Sequence, residues 1–122
     1  QVLGRPIRPE TAATLTQMLA SSLEGGEGSE ALVPGYRIAG KTGTAQIPTP
    51  GGYDETRSIA SFIGYGPVDD PQFIVLVKLD KPSTSIWGSE TAAPVFSQLV
   101  QRLVVLMEIP PDNIRQALQA GN

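Results

Sequence analysis

The stretch Ile38-Ala39-Gly40-Lys41-Thr42-Gly43-Thr44-Ala45-Gln46 combines a cation, two hydroxyls and two glycines more tightly than any other part of the chain. It reads as a strand, about 38–46, built to hold a ligand. Alternation along a strand places Thr42 and Thr44 on one side and Lys41 and Gly43 on the other. Gly40 and Gly43 carry no side chain to block a close backbone approach. Lys41 supplies a point charge with three donors, the threonines supply hydroxyls, and an edge strand offers free N–H groups. Such a set recognises carboxylates and carbonyls, which is half of an acyl-transfer site. The plainer alternative is a Thr-rich edge strand whose lysine only discourages aggregation, because four-residue motifs recur by chance.

Upstream, Pro9 is placed like the first residue of a helix and Glu10 follows where the helix dipole favours an acid. Ala12, Leu15, Leu19 and Leu23 recur at helical spacing, which predicts a helix over 9–23. Gly25, Gly26 and Gly28 end it in a mobile loop. A phosphate cradle would need a strand before these glycines and a helix after them, and the order here is the reverse. Pro34-Gly35 turns the chain into the Lys41 strand.

Downstream, Ile47 to Arg57 carries Pro48, Pro50, Gly51, Gly52 and Asp54 and reads as an exposed loop between strands. Ser58 to Tyr65 alternates like a strand. Asp69-Asp70-Pro71 reads as a structural turn rather than an acid pair. Phe73-Ile74-Val75-Leu76-Val77 is apolar without alternation, which predicts a strand covered on both faces. Trp87, the only tryptophan, is expected to pack its loop onto the body. From 91 to 107, Val95, Phe96, Leu99, Val100, Leu103, Val104 and Met107 face one way, with Ser97, Gln98, Gln101 and Arg102 opposite. That is an amphipathic helix covering a sheet. Pro110-Pro111 is expected to stop it, and the tail 108–122 can form one short helix over Asp112 to Ala120. The fold class is therefore α+β: an antiparallel sheet with flanking helices.

With 122 residues and 40% hydrophobic content, the chain makes one modest domain or a piece of a larger one. A net charge of −3 with nine unclustered basic residues argues against nucleic acid or an anionic membrane as partner. Without cysteine there is no disulfide or thiolate chemistry. Without histidine there is no Ser-His-Asp arrangement, and no metal site or cofactor motif is expected. No apolar run approaches the roughly 20 residues needed to span a bilayer, so the chain as it stands is expected to be soluble.

The run Val33-Pro34-Gly35-Tyr36-Arg37-Ile38-Ala39-Gly40-Lys41-Thr42-Gly43-Thr44-Ala45-Gln46 resembles the Lys-Thr-Gly segment of penicillin-binding proteins, the serine D,D-transpeptidases that cross-link peptidoglycan. Pro9-Glu10-Thr11-Ala12 and Glu24-Gly25-Gly26-Glu27-Gly28 are similar to the family's approach to that segment. Ala60 to Pro67, Ala92-Ala93-Pro94-Val95-Phe96 and Ile109-Pro110-Pro111-Asp112 resemble the class B, division-type members. The family's nucleophile lies in Ser-x-x-Lys and a second serine in Ser-x-Asn, and neither pattern occurs here. The residues three before Lys41, Lys78 and Lys81 are Ile38, Val75 and Lys78. The residues two before Asn113 and Asn122 are Pro111 and Ala120.

The resemblance implies that residues 1–122 are the C-terminal portion of a transpeptidase domain of the penicillin-binding-protein and serine β-lactamase fold, without its acylating half. It implies peptidoglycan stem peptides and β-lactams as ligands, two further strands from the missing N-terminal half, and a membrane-anchored parent with this domain outside the cytoplasm. Lys41 and Thr44 would serve catalysis, and Thr42, Gly43 and Thr44 would bind substrate. The chain alone is expected to be inactive and prone to self-association. Two readings stand beside this one: a non-catalytic β-lactam or muropeptide-binding module, and a protein-interaction domain.

Overall fold

The computed structural model describes residues 4–121. Its elements are α1 (Pro9–Glu24), a 3-10 turn (Ser29–Ala31), β1 (Ala39–Thr49), β2 (Gly52–Gly66), β3 (Phe73–Asp80), α2 (Ala92–Leu106) and α3 (Asp112–Ala120). The strands form one antiparallel meander in the order β1-β2-β3, so the expected α+β arrangement is the one found. Of the N-terminal lead-in, Val2 and Leu3 lie outside the described residues.

β2 is the central strand and its period-2 pattern sets the faces of the sheet. Even-numbered residues from Ser58 to Gly66 are buried, while Ile59, Ser61, Ile63 and Tyr65 are not. The buried face meets α2 through Phe62 and Phe96, whose ring centroids lie 4.7 Å apart at a 51° tilt. Leu23, Ile38, Val77, Val100 and Val104 complete this core. α1 packs against β1 and the 3-10 turn, and the Thr16 and Tyr65 hydroxyls meet at 2.8 Å.

Several expectations change. Ile47 to Arg57 is not a loop: the ladder continues through Ile47↔Asp54, Pro48↔Tyr53 and Thr49↔Gly52, leaving only Pro50-Gly51 at the tip. Proline is tolerated there because β1 is an edge strand whose outward N–H groups have no partner to lose. The register breaks between Gln46 and Ile47, where Gln46 pairs Ser58 but Ile47 pairs Asp54. Glu55, Thr56 and Arg57 therefore bulge from β2. The Asp54 carboxylate ties the bulge by accepting the Thr56 hydroxyl and N–H, both at 2.8 Å, the Arg57 N–H at 3.0 Å and Arg57 Nε at 2.6 Å.

β3 is covered on one face, not two. Val77 is buried, but Ile74 and Leu76, on the opposite face, are 68% and 61% exposed. The buried stripe of α2 is also rotated from the expected one. Val95 and Leu99 are exposed, and Ser97, expected on the polar side, is buried with its hydroxyl donating to the Leu32 carbonyl at 2.7 Å. A small residue with a donor fits there because that carbonyl needs a partner. α2 stops at Leu106, before Pro110. Glu108 adopts a left-handed φ of 54°, its N–H donates to Val105 O (3.1 Å) and that of Ile109 to Val104 O (2.9 Å). This paired closure satisfies the terminal carbonyls.

Candidate active site

Lys41, Thr42, Gly43 and Thr44 lie on β1, the edge strand, opposite Ile63, Phe62, Ser61 and Ala60. The alternation read from the sequence holds: Thr42 and Thr44 pair with buried-face residues, Lys41 and Gly43 with residues of the open face. The lysine nevertheless turns back across the strand. Its Nζ donates to Thr42 Oγ1 at 3.2 Å and to the Thr42 carbonyl at 3.3 Å. Cation and first hydroxyl thus share a shallow concavity of about 170 Å³, walled by Leu23 and Gly28 at the end of α1. Among the described residues no carboxylate lies within ion-pair distance of Lys41, so the charge is available to a ligand.

Thr44 takes a different partner. Its Oγ1 accepts the Gly88 N–H at 3.1 Å, which ties the strand to the loop ahead of α2. Gly88 is pressed onto the sheet so closely that an added Cβ would stand 2.5 Å from both Gly43 O and Ser61 O. Thr44 borders a second concavity, of about 440 Å³, with Ile59, Leu76 and Lys78. The structure therefore joins Lys41 with Thr42 and ties Thr44, two residues further along the strand, to the Gly88 loop.

Both threonine oxygens receive a hydrogen bond from the protein and keep their own O–H free to donate outward. The backbone gives the same polarity. The Thr42 carbonyl, reached by Lys41, faces away from β2, and in an antiparallel edge strand the N–H of the residue two positions on faces the same way. Thr44 thus turns its N–H toward the open edge. The lysine charge, two threonine hydroxyls and one outward amide are thus carried by a single strand.

The two strand glycines act otherwise than the sequence suggested. A Cβ on Gly40 would stand 2.7 Å from the Phe62 ring and from Ile63 O, and one on Gly43 would stand 2.5 Å from Ser61 Oγ. Their missing side chains admit the protein's own residues. Trp87 also departs from expectation: the residue is 53% exposed rather than packed. Gly88 pins this loop to the sheet, and the Trp87 carbonyl accepts Thr91 Oγ1 at 2.7 Å ahead of α2, so the ring is not needed as an anchor. Gly88 was the site residue missed in the sequence. Its signal was a glycine directly behind the only tryptophan and four residues before Ala92, where a helix begins.

The family profile described as penicillin binding protein transpeptidase domain matches residues 1–101. A protein of Chlorokybus atmophyticus named peptidoglycan D,D-transpeptidase FtsI homolog is 40% identical over 104 residues, covering 84% of this chain and 15% of that protein. Stage V sporulation protein D of Bacillus subtilis is 39% identical over 106 residues, covering 86% and 16%. This chain therefore spans less than a fifth of these relatives. Among solved structures, the transpeptidase domain of Burkholderia pseudomallei penicillin-binding protein 3 superposes with a TM-score of 0.82 at 37% identity, covering 89% of this chain and 34% of that one. Penicillin-binding protein 3 from Mycobacterium, complexed with ampicillin, gives 0.71 at 34% identity, with 84% and 25% covered. By sequence and by fold, the chain belongs to the penicillin-binding protein transpeptidase domain family.

Proposed function

We propose that residues 1–122 are the C-terminal portion of a peptidoglycan D,D-transpeptidase domain and contribute its ligand-binding strand, while the acylating serine comes from another part of the parent polypeptide. The observation that carries this reading is the donor set on β1: Lys41 Nζ, which has no carboxylate partner among the described residues, the Thr42 and Thr44 hydroxyls and the outward Thr44 N–H. A stem-peptide or β-lactam carboxylate accepts the two hydroxyls, and Lys41 supports the proton transfers of the attacking serine. The Thr44 N–H, with that of the serine, faces the oxygen that gains charge as the carbonyl is attacked. One such donor is worth roughly 2.7–4 kcal/mol in a serine protease. A second amine then resolves the acyl-enzyme and completes the cross-link. The relatives' names and an ampicillin-bound neighbour support the same reading. The parent is proposed to be anchored at the cytoplasmic membrane with this domain outside; no described helix here is long and apolar enough to cross one.

The test is Thr44→Val in the polypeptide that carries the serine. Valine keeps the shape and deletes the hydroxyl, so acylation by a fluorescent penicillin should slow at least tenfold while the fold persists. An unchanged rate removes Thr44 from carboxylate recognition. A binding module without chemistry would hold the penicillin reversibly and give no covalent adduct.

A further inference from the structure

The family profile ends at residue 101, yet the segment beyond it grips the body where β1 begins. Arg37, two residues before β1, is tied through its N–H, its carbonyl and two of its guanidinium nitrogens. Its N–H donates to Asp112 Oδ2 at 2.7 Å, its carbonyl accepts the Val68 N–H at 2.9 Å, and its guanidinium reaches Glu24 at 2.7 Å and Gln17 at 2.5 Å on α1. The neighbours of Arg37 are held by the same tail. The Asp112 N–H donates to the Gly35 carbonyl at 2.9 Å, and the Tyr36 hydroxyl donates to the Ile109 carbonyl at 2.7 Å.

Arg115 locks this arrangement from the other side. It is only 7% exposed, although it sits on a short terminal helix. Its Nη1 donates to the Pro110 carbonyl at 2.9 Å and its Nη2 pairs with the Asp69 carboxylate of the β2–β3 turn. Asp112 Oδ1 lies 2.9 Å from the same Nη2, an ion-pair contact without hydrogen-bond alignment. The side chain buried from α3 is thus a charged one, while Ile114 and Leu118 face out. Docking of α3 rests on polar bonds to residues 35–37 and 69, not on an apolar seam.

The consequence follows from the position of β1. An edge strand has one neighbour to fix its register, and here that ladder is interrupted after Gln46 by the bulge. The Ala39–Gln46 ladder is thus held at one end by its pairing with β2 alone, and at the other by that pairing together with whatever holds Arg37. We propose that Asp112 and Arg115 are positioning residues for the Lys41–Thr44 strand: α3 clamps Arg37, and Arg37 sets where Lys41, four residues on, meets Thr42. The proposal rests on the reading of that strand as the ligand strand, but its test does not.

The test is amide hydrogen exchange on the 122-residue chain. Asp112→Ala removes the acceptor of the Arg37 N–H, and the amides of Ala39, Lys41 and Gly43, which face β2, should exchange at least tenfold faster while those of α2 hold. Asp112→Asn keeps a carbonyl at that place and should return exchange close to that of the parent chain. Equal acceleration across β1 and α2, or none in β1, overturns the clamp. If Asp112→Ala does not fold, Tyr36→Phe decides: it deletes only the bond to the Ile109 carbonyl, and about threefold faster exchange confined to the β2-facing amides of Ala39, Lys41 and Gly43 is expected, with no change refuting the proposal. The ligand reading is judged separately by Thr44→Val, so a failed clamp leaves it standing and a failed ligand role leaves the clamp standing.

Discussion

Replacing Gly88 by alanine tests the contact that holds β1 to the loop ahead of α2. The new Cβ would stand 2.5 Å from Gly43 O and from Ser61 O, where ordinary contact begins at 3.4 Å. Both obstacles are backbone atoms within a ladder and neither can turn aside. The loop must retreat by about 0.9 Å, which lengthens the Gly88 N–H to Thr44 Oγ1 distance from 3.1 Å to about 4.0 Å, beyond hydrogen-bond range. The lost bond costs about 1 kcal/mol and the residual crowding about 1–3 kcal/mol. Restricting the unfolded chain offsets about 0.4–1 kcal/mol of this. A net loss of about 1–3 kcal/mol lowers Tm by roughly 4–12 °C for a chain of this size. Thermal unfolding by circular dichroism measures the shift, and the Thr44 amide resonance reports the local change. A Tm within about 2 °C of the parent chain, with the Thr44 signal unmoved, refutes the contact as described.

Lys41→Arg should slow penicillin acylation of the serine-bearing polypeptide by orders of magnitude with little change in Tm, because a planar fork cannot replace a compact ammonium beside Thr42; a normal rate would make Lys41 a surface charge. The Asp54 carboxyl is held well below the usual carboxylate range, first by the Thr56 hydroxyl, then by the Thr56 N–H and Arg57. A group lowered on folding stabilises above its unfolded value, here 3.8, and loses that contribution only as pH falls through the lower folded value. The bulge should therefore stay protected at pH 3.8, and an Asp54 carboxyl titration centred at or above that pH contradicts the bonding described. The chain in isolation should self-associate through the free edge of β3 and the exposed Ile74 and Leu76; light scattering that shows only monomer at high concentration excludes this.

The central strand and the covering helix were legible from a local period, alternation in β2 and spacing of three and four in α2, while β3 was legible only as a short apolar run. What escaped was set by contacts distant in sequence. Ser97 is inside because the Leu32 carbonyl needs a donor, and no helical period encodes that. Pro48 and Pro50 signalled a loop, yet an edge strand accommodates Pro48 and a two-residue tip needs Pro50-Gly51. The site motif was readable as residue types, Lys41 through Thr44, but its geometry was not. The return of Lys41 Nζ to Thr42 depends on a flexible side chain, and the role of Gly88 depends on a loop more than forty residues away in sequence.

The bulge at Glu55–Arg57 has a bearing on how this hairpin can change. The Asp54 carboxylate closes those residues on themselves, so the outer ladder from Ile47 to Asp54 and the inner ladder from Ala39 to Gln46 are separately registered. Lengthening or trimming the tip around Pro50-Gly51 then alters reach without sliding Lys41 past Ile63. In a strand without that knot, a single inserted residue would exchange the faces of every side chain up to Gly40. The hairpin tip is thus the part of the site's border that selection or engineering can vary in length while the ligand-facing residues stay in place.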